Sequence, residues 1–121
     1  MKIIAGSLVL LFGLLSFTVS ARNNSAAAKR ANLITSWMEK KLDLSTEQVS
    51  QIEVLNLKYE NEIEKLTVEK NGFLCMQAVR DSLKRKEVEM RDVLSDKQLA
   101  NYIERKCELK EELKRNCKDL M

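Results

Sequence analysis

The chain has 121 residues, with 21 Lys and Arg against 18 Asp and Glu for a net charge of +3, and it has no histidine and no proline. So balanced a charge argues against nucleic acid and against a strongly acidic substrate, and without histidine a catalytic cysteine or serine lacks its usual base and a Cys/His zinc set is excluded. Lys, Glu, Leu, Ala, Arg and Gln dominate, which is the composition of an all-α protein of one domain.

In chain order, Lys2 opens a positive n-region, residues 3–17 form an apolar run, and Val19-Ser20-Ala21 is a small-residue cleavage site. Residues 1–21 therefore read as a secretory signal peptide cut after Ala21. The rival, an uncleaved membrane anchor, is disfavoured because the run falls short of the roughly 20 apolar residues a spanning helix needs. Residues 22–30 are a polar, alanine-rich leader expected to fray in part, and residues 31–121 form a single helical domain.

A first helix is expected over about residues 27–41, with Leu33, Trp37 and Lys41 or Leu42, and Ile34 and Met38 beside them, on one face. A second is expected over 46–70, with Val49, Ile52, Leu55 or Asn56, Tyr59, Ile63 and Leu66 at three- and four-residue steps. Asn71-Gly72 is the strongest turn signal and should end it. A third, over 73–93, places Met76, Val79, Leu83, Met90 and Leu94 on its apolar side, and a fourth carries Leu99, Tyr102 or Ile103, Leu109, Leu113, Cys117 and Leu120. Narrow apolar stripes between charged faces predict a thin, elongated helical hairpin layer, which buries little core and is expected to dimerise. The second helix is acidic and the segment before it basic. These charges read mainly as solvated faces with local pairs such as Glu87–Arg91 and Glu111–Arg115, although antiparallel docking of the two segments also fits.

Two stretches repeat fifty residues apart: Leu44-Ser45-Thr46-Glu47-Gln48-Val49 and Leu94-Ser95-Asp96-Lys97-Gln98-Leu99. In each, serine at N-cap and glutamine at N3 form a capping box, and the flanking apolar pairs Leu44/Val49 and Leu94/Leu99 form a hydrophobic staple. Leu44, Ser45, Gln48, Leu94, Ser95 and Gln98 are thus read as fold determinants.

Three cysteines lie in the C-terminal half, and an exported chain permits a disulfide. If the third and fourth helices fold back about Leu94-Ser95, Cys117 falls about 4.5 Å along the axis from the position opposite Cys75, while Cys107 falls about 10 Å away. Cys75–Cys117 is the expected disulfide, contributing about 3–4 kcal/mol on the chain-entropy model. Cys107 then either bridges two chains or lies quietly on the fourth helix. Glu60, Asn61 and Glu64 cluster on the second helix and read as an ordinary acidic face. No cofactor or metal, no small-molecule substrate and no catalytic residue is expected.

At the repeated box the chain resembles the LTxxQ-motif family of small periplasmic helical proteins, Spy/CpxP-like. The surroundings fit as well: Met38-Glu39-Lys40-Lys41-Leu42-Asp43 before the first motif, Leu57-Lys58-Tyr59 after it, and Tyr102-Ile103-Glu104-Arg105-Lys106 after the second. The resemblance spans about residues 31–113. Serine replaces the family's threonine in both motifs, a change that capping tolerates because either hydroxyl can cap. The histidines of metal-responsive members are missing, and the three cysteines are additions. The resemblance implies a four-helix, cradle-shaped antiparallel dimer in the periplasm. It also implies ATP-independent, chaperone-like binding of unfolded envelope proteins, or regulation of an envelope-stress pathway through a membrane sensor kinase. An exported structural coiled-coil protein is the remaining alternative. Leu57, Val68, Phe73, Leu74 and Val88 lie off the main stripes and are the expected client contacts.

Overall fold

A computed structural model describes residues 25–116; the expected signal peptide, Cys117 and Leu120 lie outside the described residues. Within them every regular element is a helix: α1 (Ala26–Leu42), α2 (Thr46–Glu69), α3 (Gly72–Met90) and α4 (Asp96–Asn116).

Helix α1 starts inside the segment expected to fray. Ser25 caps it, its hydroxyl accepting from the Ala28 N–H at 3.0 Å. Ala27, Ala28 and Ala31 are buried, because a methyl-only face brings two helix backbones close and gives up no side-chain rotamer freedom. The helix ends at Asp43 in the left-handed region (φ 53°), whose N–H and that of Leu44 both reach the Glu39 carbonyl, a Schellman-type stop built without glycine. Between α2 and α3, Gly72 takes φ 64°, a value glycine adopts without strain. The Asn71-Gly72 turn therefore falls where the sequence placed it.

Helix α1 packs on α2, α2 on α3, and α1 on α4. The first two pairings are antiparallel, as shown by Arg30 opposite Glu60 and Thr35 opposite Asn56, then by Lys58 opposite Glu89 and Arg85 opposite Glu62. The expected fold-back of α3 on α4 does not form. These helices are splayed and bridged by Lys106 to Glu87 at 2.9 Å. The junction explains the difference: the Val93 and Leu94 N–H groups both return to the Met90 carbonyl, a turn that buries Leu94 in the core and sends α4 along α1.

One cluster holds the molecule together, made of Ile34, Trp37, Met38, Leu42 and Leu44 from α1 and its exit, Ile52, Leu55 and Tyr59 from α2, and Met90, Leu94, Tyr102 and Leu109 beyond. Met38, Ile52 and Met90 are fully buried, each stabilising by about 1.5–3 kcal/mol relative to exposure. The α3 stripe is rotated from its expected phase. Met76 and Leu83 are exposed, and the buried face reads Ser82, Lys86, Met90 at four-residue steps. A serine lets α3 approach its neighbours closely, and Lys86 can bury its long apolar stem on this face.

Candidate functional site

Both capping boxes form. The Gln48 N–H donates to Ser45 Oγ at 3.1 Å and the Ser45 N–H to Gln48 Oε1 at 3.0 Å; the matching distances for Gln98 and Ser95 are 3.1 and 2.9 Å. Leu44 and Leu94 are buried, with Val49 and Leu99 packed against the same cluster, so both staples are in place.

The boxes also face each other. Gln48 Nε2 donates to Gln98 Oε1 at 2.8 Å, and Gln98 Nε2 donates back to Gln48 Oε1 at 3.1 Å. The second amide proton of Gln48 goes to the Val93 carbonyl at 3.0 Å, and that of Gln98 to the Leu42 carbonyl at 3.3 Å. Each side-chain amide thereby uses both donors and both acceptor lone pairs. The Leu42 carbonyl is one of the groups a helix C-terminus leaves without an intrahelical partner, so the second box caps the end of the helix that leads into the first. Asn101 Nδ2 adds a bond to the Lys41 carbonyl at 3.4 Å. Glutamate at N3 would close a capping box equally well, but a carboxylate has no proton for the other box or for a carbonyl. Glutamine at both positions was the available sequence signal for this cross-brace, and a reading confined to each box alone misses it.

A polar seam runs through the core beside the brace. Thr35 Oγ1 donates to the Ala31 carbonyl and accepts from Asn56 Nδ2 at 2.9 Å, while Asn56 Oδ1 is buried with no partner among the described residues. Glu60 is only 7% exposed and accepts from Arg30 Nε at 2.9 Å, so it is not part of a solvated acidic face. This pair joins the basic α1 to the acidic α2. Lys86 is 2% exposed, and burial pulls its ammonium below the usual lysine range, opposed by Glu60 and Glu87. Burial, with Glu87 and Glu60 adding to it, pushes the Tyr102 hydroxyl up to about 12. The local pairs expected at Glu87–Arg91 and Glu111–Arg115 are replaced by Glu87–Lys106, Glu111–Lys114 and Glu112–Arg115.

On the outer side of α2 and α3 a groove of about 420 Å³ is lined by Lys58, Tyr59, Glu62, Arg85, Val88 and Glu89. Its charges pair internally: Glu89 accepts from Lys58 and from the Tyr59 hydroxyl, and Glu62 accepts from Arg85. The Tyr59 hydrogen bond, followed by that from Lys58, holds the Glu89 carboxyl below the usual carboxylate range.

Of the expected client contacts, Val68, Phe73, Leu74 and Val88 are 82, 72, 64 and 57% exposed, and Leu57 is half-buried. Val68, Phe73 and Leu74 flank the α2–α3 turn, whereas Val88 lies in the groove. Cys75 is a half-buried free thiol 3.9 Å from the Leu66 carbonyl, and Cys107 is a free exposed thiol. Cys117, the expected partner of Cys75, lies outside the described residues, and the fold-back on which that pairing rested is not the arrangement formed. Among the described residues no group of three or more His, Cys, Asp or Glu side chains is placed to hold a metal ion, and no helix is long and apolar enough to cross a membrane. No family model matches the chain, and no curated protein or solved structure matches it.

Proposed function

We propose that this chain is an ATP-independent, chaperone-like protein that binds unfolded envelope proteins in the periplasm, acting as a homodimer of the LTxxQ type. One observation carries the reading: large apolar side chains stand exposed among charges along α2 and α3, on a scaffold whose other end is cross-braced. Such a surface binds an unfolded chain through scattered apolar contacts, and its charge pairs, already satisfied internally, select no particular sequence. Affinity alone drives capture and release, with no nucleotide required.

The test is aggregation suppression. The chain from Arg22 onward, at increasing ratio to a chemically unfolded client, is followed by light scattering in lipid-free buffer without ATP. Suppression near stoichiometric ratio, weakened by Val88→Glu, supports the reading. A helical, folded chain that leaves scattering unchanged overturns it and favours a partner-binding role at a membrane sensor kinase.

A further inference from the structure

Helix α3 has two faces fit for the interior. The one turned inward is Ser82, Lys86 and Met90, at 0, 2 and 0% exposure. The other is Met76, Val79, Leu83 and Met90, wholly apolar, yet Met76 is 59% and Leu83 40% exposed. Leu83 and Lys86 are three residues apart, so on a helix their directions differ by about 60°, and Met90 belongs to both faces.

The buried face holds an amine that nothing pairs with. Among the described residues Lys86 Nζ makes no hydrogen bond and no ion pair. The charged and titratable groups around it come from every helix: Glu60 of α2 with its partner Arg30 of α1, Glu87 of α3 with its partner Lys106 of α4, and Tyr102 of α4, which feels the same two carboxylates. Both carboxylates are committed to those partners at 2.9 Å, so three cations meet two anions and a charge on Lys86 is the odd one, buried without a counterion of its own. The register keeps the alternative face within reach. Lys58 opposite Glu89 and Arg85 opposite Glu62 set Leu83 level with about residue 64 of α2, and Arg30 opposite Glu60 and Thr35 opposite Asn56 set that level at Ala26, where α1 begins. Leu83 thus lies one turn from Lys86, at a level that α1 still reaches. The ion pairs that hold the present face against α2, Lys58–Glu89 and Arg85–Glu62, are exposed and hold it only weakly.

We propose that α3 is a proton-operated two-state element: with Lys86 uncharged it docks as observed, and when Lys86 takes up a proton it rolls by about 60°, turning Leu83 inward and the ammonium out to water. Burial lowers the Lys86 pKa in the observed state, whereas in the rolled state the side chain is solvated and returns to the ordinary lysine value of about 10.4. The rolled state therefore binds the extra proton and gains as pH falls, and the observed state gains as pH rises. Protonation of Glu60 or Glu87 at lower pH strips negative charge from around Lys86 and acts in the same direction. The chain has no histidine, so no side chain of ordinary pKa changes charge between about pH 5 and 8, and a transition there marks a shifted group. Client capture requires none of this, and the two readings fail separately.

The experiment is carbon-13 NMR of the chain from Arg22 onward, kept reduced, between about pH 5 and 10. The Lys86 side-chain carbons report its protonation, and a soluble gadolinium agent reports how far the Leu83 methyl groups face water. Lys86 is expected to titrate below the ordinary lysine value, and the Leu83 methyl signals to move with the same midpoint. Relaxation of those methyl groups by the agent is expected to fall severalfold at the acid end. In Lys86→Met the Leu83 methyl groups stay exposed at every pH, and in Lys86→Arg they stay protected at every pH. Circular dichroism at each pH checks that the helices persist. A Leu83 exposure that does not change with pH in the parent overturns the proposal. So does a change that survives in Lys86→Met, or one that appears only as helix content is lost, which assigns it to acid unfolding.

Discussion

At one end of this molecule two helix starts meet, and every polar atom of the Gln48 and Gln98 amides has a partner. At the other end no side chain of the α2–α3 hairpin is fully buried over residues 61–81, and α3 starts after Asn71 with no side-chain cap. The same kind of sequence, amphipathic and highly charged, builds both regions. The difference is the number of helices at each level. Near the boxes several helices share one apolar cluster, so each side chain is covered from more than one direction. Past the start of α1, two helices face each other and the remaining apolar surface stays open. Local propensity makes helices at both ends, but tertiary packing stabilises only one of them.

The sharpest way to break this comparison is to remove matched apolar groups from the two ends. Ile52→Ala, at a fully buried site, is expected to cost about 3 kcal/mol in urea unfolding, whereas Val68→Ala should change stability by less than about 0.5 kcal/mol. Equal effects would mean that the hairpin tip is packed in solution.

Next in size is Gln48→Glu. It preserves the capping box but gives up two donors and sets a carboxylate against Gln98 Oε1 and the Val93 carbonyl, an expected loss of about 2–3 kcal/mol. If only the local cap mattered, the variant would be as stable as the parent.

The alkaline limb of stability tests the polar seam. Tyr102 titrates near 12 when folded and near 10 when unfolded, so the folded chain retains a proton that the unfolded chain loses. Its contribution, about 3 kcal/mol, is intact below pH 10 and lost as pH rises through 12. Tyr102→Phe should flatten that slope in chemical denaturation between pH 9 and 12. Lys86 acts with the opposite sign. Its folded pKa is lowered, so the unfolded chain binds the extra proton and stability from this group rises with pH toward the ordinary lysine value. Lys86→Met is accordingly expected to stabilise the protein at pH 7 by about 1 kcal/mol, a gain that shrinks above pH 10.

The smallest expected effect lies at the open end. Asn71→Ala should cost less than about 0.5 kcal/mol, because the Asn71 side chain makes no cap hydrogen bond at the start of α3. A loss near 1 kcal/mol would mean that Asn71 does cap that helix in solution.

Much of this protein can be read from its residues one helix at a time. The helix starts at Thr46 and Asp96, the serine–glutamine boxes, the staples and the Asn71-Gly72 turn all follow from side chains acting within a few residues of their own backbone, which is why sequence alone determined them. The resemblance to the LTxxQ family rests on the same local features. Which face of α3 is buried, the splay of α3 from α4, the enclosure of Glu60 and Lys86, and the handshake between glutamines fifty residues apart were decided by tertiary structure. Each depends on which helix lies alongside at a given level, and a stripe of apolar residues specifies that a face should be covered without specifying what covers it. Ser82 and Lys86 lie on the buried face of α3 where Leu83 does not, a choice of face that is made only once the helices have met.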